Sequence, residues 1–137
     1  MQVQPYLFFD GRCEEAIEFY HSAIGAEVGM LMRWKDCPEP AQPGMIPPGS
    51  ENKVMHAAVR IGDATVLASD GECGGKASFQ GFALSLYAPD EAEAARHFTA
   101  LSAGGQVRMP LTKTFFAKSF GMLADKFGVA WMVIVPP

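Results

Sequence analysis

Phe8-Phe9-Asp10-Gly11-Arg12-Cys13-Glu14-Glu15-Ala16-Ile17-Glu18-Phe19-Tyr20 is the stretch whose reading sets the architecture. The run from Pro5 to Phe9 that leads into it is apolar and of strand length, and Asp10-Gly11 supplies a stop and a candidate helix N-cap. From Cys13 to Ile24 the residues Cys13, Ala16, Ile17, Tyr20, Ala23 and Ile24 recur at helical spacing. Glu14 and Glu15 suit the positive end of the helix dipole, and Gly25 closes the helix. The chain therefore opens with a strand and an amphipathic helix.

Moving outward, Val28 to Trp34 alternates Val28, Met30, Met32 and Trp34 against Gly29, Leu31 and Arg33, which predicts a strand with one apolar face. Residues 35 to 53 hold Pro38, Pro40, Pro43, Pro47 and Pro48, half of the ten prolines, and read as a long loop that covers a site or acts as a linker. Val54 to Ile61 and Ala64 to Ser69 predict two strands, with Gly62-Asp63 as a hairpin turn. Phe82 to Tyr87 is another strand, after which Asp90 caps a helix with Ala95, Phe98 and Leu101 on one side and Gly104-Gly105 at its end. Val107 to Leu111, Ser119 to Ala124 and Ala130 to Val135 complete the pattern. The order is strand, helix, three strands, and then the same again. Glu15 to Tyr20 overlays Glu93 to Phe98, and Ile61 to Leu67 overlays Phe127 to Val133.

The expected fold is α+β. Two tandem βαβββ modules, about 1–72 and about 79–137 of a single domain spanning 1–137, carry curved mixed or antiparallel sheets that form a half-open barrel cavity. Strands such as Pro5 to Phe9 and Ala130 to Val135 lack polar alternation, so each sheet has a second apolar face beyond the one its helix covers. Such faces either enclose a small-molecule cavity or are simply filled by side chains as core.

With 137 residues, 49% of them hydrophobic, and a net charge of −4, the composition is that of a globular domain with no clustered Lys and Arg to bind nucleic acid. No stretch approaches the roughly 18 apolar residues of a membrane span, and residues 1–5 lack a signal-peptide pattern, so no membrane association and a cytoplasmic location are expected. Cys13, Cys37 and Cys73 are far apart, without a C-x-x-C pair, and predict reduced thiols.

The repeat, the quoted stretch, Val54-Met55-His56-Ala57 with Ile61-Gly62-Asp63, Gly105 to Leu111, and Phe120-Gly121-Met122 with Asp125 to Trp131 together resemble the PhnB-like branch of the vicinal oxygen chelate superfamily. That superfamily contains glyoxalase I, bleomycin resistance proteins and extradiol dioxygenases. The resemblance implies the paired-module fold and a homodimer. In its metalloenzymes a divalent ion sits on side chains from the first and last strands of each repeat. The matching positions here fall near Pro5, Leu67, Phe82 and Met132, none of which is a His, Gln or Glu, so neither a metal nor another cofactor is expected. A methyltransferase activity, sometimes attached to such domains, finds no Gly-rich strand-to-helix turn to hold a nucleotide-like cofactor.

Among candidate site residues, His56 interrupts an apolar strand and shares a face with Val54, Ala58 and Arg60. It reads either as a general base or ligand contact, or as a histidine satisfied within the sheet. His21 and His97 read as solvent-facing, and Asp70 and Asp125 as turn residues. A role for Asp70 opposite His56 is the alternative. Trp34, Phe82, Phe115, Phe116, Trp131 and Met132 are candidate pocket residues, with core packing the competing reading for Trp131. Phe115-Phe116, beside Lys113 and Lys118, reads as a ligand mouth or subunit contact, with the proline-rich loop as the opposite lip. The function expected is metal-independent binding of a partly aromatic or apolar small molecule. The alternative is a lyase, isomerase or dioxygenase-type enzyme with an unconventional site around His56.

Overall fold

The structure, a computed structural model, describes residues 1–37, 48–71 and 76–137. Most of the proline-rich loop, including the lip expected of it, and Cys73 lie outside the described residues. The order is β1 (Tyr6–Phe8), α1 (Cys13–Ile24), β2 (Glu27–Arg33), β3 (Val54–Ile61), β4 (Ala64–Ser69), β5 (Leu84–Tyr87), α2 (Glu91–Ser102), β6 (Gln106–Thr112), β7 (Ser119–Ala124) and β8 (Ala130–Val135). This is βαβββ twice. The chain divides into two compact units, Met1–Ala77 and Ser78–Pro137.

In the first unit the sheet runs β1-β4-β3-β2, with β1 parallel to β4 and the other pairs antiparallel. In the second it runs β5-β8-β7-β6, with β5 parallel to β8. Both sheets are mixed, and neither closes into a barrel. The parallel pair follows from the helical crossover, because a strand, a helix and a return to the same sheet bring the outer strand alongside in the same direction.

Leu7, Ala57, Val59, Val66 and Ala68 are buried with Ala16, Ile17 and Tyr20 of α1. In the second unit Leu123, Trp131, Val133 and Val135 are buried with Ala94, Phe98 and Leu101 of α2. Strand alternation thus assigns the odd residues of β3 and the even residues of β4 to the helix side of the first sheet. Ala94, not Ala95, is the buried alanine of α2, and Ala95 is exposed.

Four other expectations change. Asp10 does not cap α1: it adopts φ 54, the N-cap is Arg12, and no side chain of that residue caps the helix. A bulge at Gly29 pairs Val28 with Val59 but Met30 with Ala58, so Val28 turns to the helix side and leaves the face that Met30 and Met32 share. The second sheet repeats the device, pairing Val107 with Leu123 and Met109 with Met122. Trp34 is not in the strand, because the chain turns there into a 3-10 helix, Trp34–Asp36, held by Arg33 N–H donating to Asp36 Oδ2 at 3.2 Å. Phe82 likewise precedes β5.

Candidate functional site

Tyr6 and Phe8 of β1 point away from α1, because the buried Leu7 between them points toward it. Cross-strand register brings Leu67 beside Tyr6, Ala58 beside Leu67, Met30 beside Ala58 and Met32 beside His56. Tyr6 Oη lies 3.0 Å from His56 Nδ1, with the two rings 5.5 Å apart, and the Tyr6 and Phe8 rings are 4.7 Å apart. Phe8 is 57% exposed, Met30 is also exposed, and Tyr6, His56, Met32 and Leu67 are half-buried. Arg60 and Glu27 stand on the same face and pair with each other at 2.6 Å. This face is a largely apolar surface with the Tyr6 and His56 pair set among its apolar residues and the Arg60 and Glu27 ion pair on the same face.

The helix-free face of the second sheet is built the same way with a different result. Met132, Met122 and Met109 form a cross-strand row beside Ser85, and Ile134 and Phe120 form another beside Tyr87. Phe116 packs on Phe120 with ring centroids 5.1 Å apart and on Phe115, itself 100% exposed, at 5.2 Å. Thioethers and flat rings make an adaptable apolar surface. Of the predicted residues, Met132 and Phe116 belong to this face. Trp131 points to the helix side, 2% exposed, with its indole N–H donating to Asp125 Oδ2 at 2.9 Å. Phe82 packs on Phe79 at 6.5 Å. Trp34 Nε1 is buried with no hydrogen-bond partner among the described residues.

A third feature lies at the start of α1, a cavity of about 670 Å³ lined by Glu14, Glu18, Arg33, Lys35 and Lys53 among others. Many of its polar groups are engaged with each other. Arg33 bonds both Glu14 carboxylate oxygens and Asn52 O, and Lys53 Nζ donates to Gly11 O. The Arg33 hydrogen bond holds the Glu14 carboxyl below its usual range. Asp70, 1% exposed, accepts from the amides of Gly11 and Cys13 through Oδ1 and of Val54 through Oδ2. It is therefore a buried knot joining α1 to β3, and neither a turn residue nor a partner of His56. Its charge, after burial itself, helps push the Cys13 thiol up to about 12, an unreactive group. Asp125 keeps the expected turn, accepting from Phe127 and Val129 amides, and adds the bond to Trp131. His97 is half-buried against Glu93 at 3.1 Å, whereas His21 is exposed as expected.

Tyr6, Phe8, Met30, Met32 and Leu67 did not stand out in the sequence as site residues. The signal available was the in-out alternation of Tyr6-Leu7-Phe8, which the all-apolar run concealed.

Mixed four-stranded sheets built as βαβββ, each with a second apolar face, define the glyoxalase and bleomycin-resistance type of protein. The chain belongs to the family described as 3-demethylubiquinone-9 3-methyltransferase, whose profile matches residues 1–134, within the PhnB-like vicinal oxygen chelate branch. It is 38% identical to protein YjdN of Escherichia coli K12 over 98% of this chain and 95% of that one. The solved structure of protein PA1353 from Pseudomonas aeruginosa is similar at TM-score 0.84 and 40% identity, covering 99% and 98% of the two chains. The PhnB protein from Bacillus cereus follows at TM-score 0.79 and 27% identity, covering 98% and 99%. The fold alone is shared with a glyoxylase/bleomycin resistance protein/dioxygenase domain from Frankia (TM-score 0.69, 11% identity, 100% and 93% covered). It is also shared with TnmS3, an antibiotic binding protein from Streptomyces (TM-score 0.63, 18% identity, 100% and 97% covered).

Neither group that these likenesses imply fits the residues present. Near the positions where the resemblance would place metal ligands stand Pro5, Leu67, Phe82 and Met132, hydrocarbon and thioether side chains, with Leu67 and Met132 on the helix-free faces. Among the described residues no group of three or more His, Cys, Asp or Glu is placed to hold a metal ion. For a nucleotide-like methyl donor, the one strand-to-helix turn of the first unit has its Gly11 and Cys13 amides already taken by Asp70.

Proposed function

We propose that the protein binds a small, partly aromatic or apolar organic molecule, without a metal centre, on the helix-free face of its first sheet. The observation that carries this reading is the pairing of Tyr6 and His56, a polar point set in a surface of Phe8, Leu67, Met30 and Met32. Aromatic rings and thioethers supply contact area, and the polar pair fixes orientation. The helix-free face of the second sheet, with Met132, Phe116 and Phe120, is a further apolar surface of the same kind. TnmS3 shows that this fold is compatible with binding an antibiotic. A homodimer and a cytoplasmic location belong to the same reading. The first is checked by light scattering, and the second is in keeping with Cys13 and Cys37 being free thiols.

The test is a thermal-shift screen over aromatic compounds and antibiotics. At least one compound is expected to raise the melting temperature, and His56→Ala is expected to fold normally and bind that compound about fivefold to tenfold more weakly. A panel without a hit, or a hit that His56→Ala binds equally well, contradicts the reading. A second reading, a lyase or isomerase acting by acid–base chemistry, is favoured by the same Tyr6 and His56 contact. Mass spectrometry of the bound compound separates the two, since an enzyme returns an altered molecule.

A further inference from the structure

From the contact between Tyr6 and His56 we infer that His56 presents its Nε2–H outward as a hydrogen-bond donor, and that the ligand is an aromatic molecule carrying a neutral acceptor oxygen, such as a ring-conjugated carbonyl. The inference rests on the binding reading above and adds the ligand's chemical class to it.

Tyr6 Oη and His56 Nδ1 are 3.0 Å apart, so one proton lies between them. It belongs on the tyrosine. A phenol O–H is a stronger donor than a neutral imidazole N–H, and a bare imidazole nitrogen is a stronger acceptor than a phenol oxygen. With Nδ1 accepting, the neutral ring must carry its proton on Nε2. Nε2 has no hydrogen-bond partner among the described residues, and its cross-strand neighbour is Met32, whose thioether is only a weak acceptor. A donor in such surroundings calls for an oxygen acceptor and gives nothing to a ligand whose only polar groups are pure donors, such as an ammonium or a pyrrole-type N–H.

Charge narrows the class further. Arg60, on the same strand and face, is occupied by Glu27 at 2.6 Å, so this face has no uncommitted cation among the described residues to favour a carboxylate. The rings of Tyr6 and Phe8, 4.7 Å apart, together with Leu67, Met30 and Met32, suit a flat hydrocarbon body. Tyr6 acts here as a positioning residue, since it fixes the tautomer that His56 shows to the ligand.

Two measurements test this on the full chain. Long-range 15N NMR of the histidine rings is expected to show Nδ1 of His56 as the bare nitrogen and Nε2 as the protonated one, with this bias lost in Tyr6→Phe. Isothermal titration then compares 1-tetralone with tetralin, which lacks the carbonyl. The ketone is expected to bind about tenfold tighter to the natural protein, falling to about twofold in His56→Phe. A protonated Nδ1, equal binding of the two compounds, or a preference that survives His56→Phe overturns the inference. Failure of both compounds to bind overturns the site reading itself, whereas equal binding removes only the acceptor-oxygen class.

Discussion

At the scale of single residues, Asp70 shows what a sequence conceals. Beside Gly71 it has the local signature of a turn, but the amides it accepts from Gly11 and Cys13 lie 59 and 57 positions away along the chain. Only the return of β4 beside β1 brings them together. Asp125 was legible because it accepts from the amides of residues two and four positions on. Removing the Asp70 carboxylate leaves three buried or half-buried amides without their acceptor. Asp70→Ala is therefore expected to lose about 3 kcal/mol in urea unfolding. A loss under about 1 kcal/mol would mean that these amides find other partners. His56 was legible as a polar interruption of an apolar strand, but its partner Tyr6 was not, because that contact spans the parallel pairing of β1 and β4.

At the scale of elements, α1, β3, β4, β7 and β8 have the bounds that periodicity and turn residues predict. Strong local signals coincide there with tertiary packing. Several of the misread positions are those where backbone geometry departs from a regular period: the bulge at Gly29, the 3-10 turn at Trp34, and the approach of Phe82 to its strand. Gly121 of β7 sits under α2 without room for a side chain: an added Cβ would stand 2.7 Å from Phe98 Cε2 and 3.0 Å from Leu111 Cδ2 of β6. Gly121→Ala should cost roughly 1–3 kcal/mol by chemical denaturation, since Phe98 and Leu111 must give way to admit it. The Glu14 and Arg33 bond ties α1 to the end of β2. Because the folded Glu14 carboxyl titrates below its unfolded range, its stabilising effect is present above that unfolded range and is lost as pH falls through the lower folded value. The stability gap between the natural protein and Glu14→Gln should accordingly close as pH falls from neutral through the lowered folded value, the contribution being small for a half-exposed pair. A gap that widens on acidification would contradict this assignment.

At the scale of the whole molecule, two copies of one plan have diverged in what their helix-free faces display. The first carries a hydrogen-bonding pair among apolar groups, and the second carries thioethers and phenyl rings. The duplication was legible in the sequence because helix starts and hairpin glycines recur in order. Which residues share a face was less so, because that depends on register, and register depends on the bulges. The measurement that tests the central claim most directly is an amide and methionine-methyl NMR map of the labelled protein titrated with 1-tetralone. The account predicts saturable shifts concentrated on Tyr6, Phe8, His56, Met30, Met32 and Leu67. Shifts confined to the charged cavity around Glu14 and Lys53, or no saturable shift at all, would contradict it.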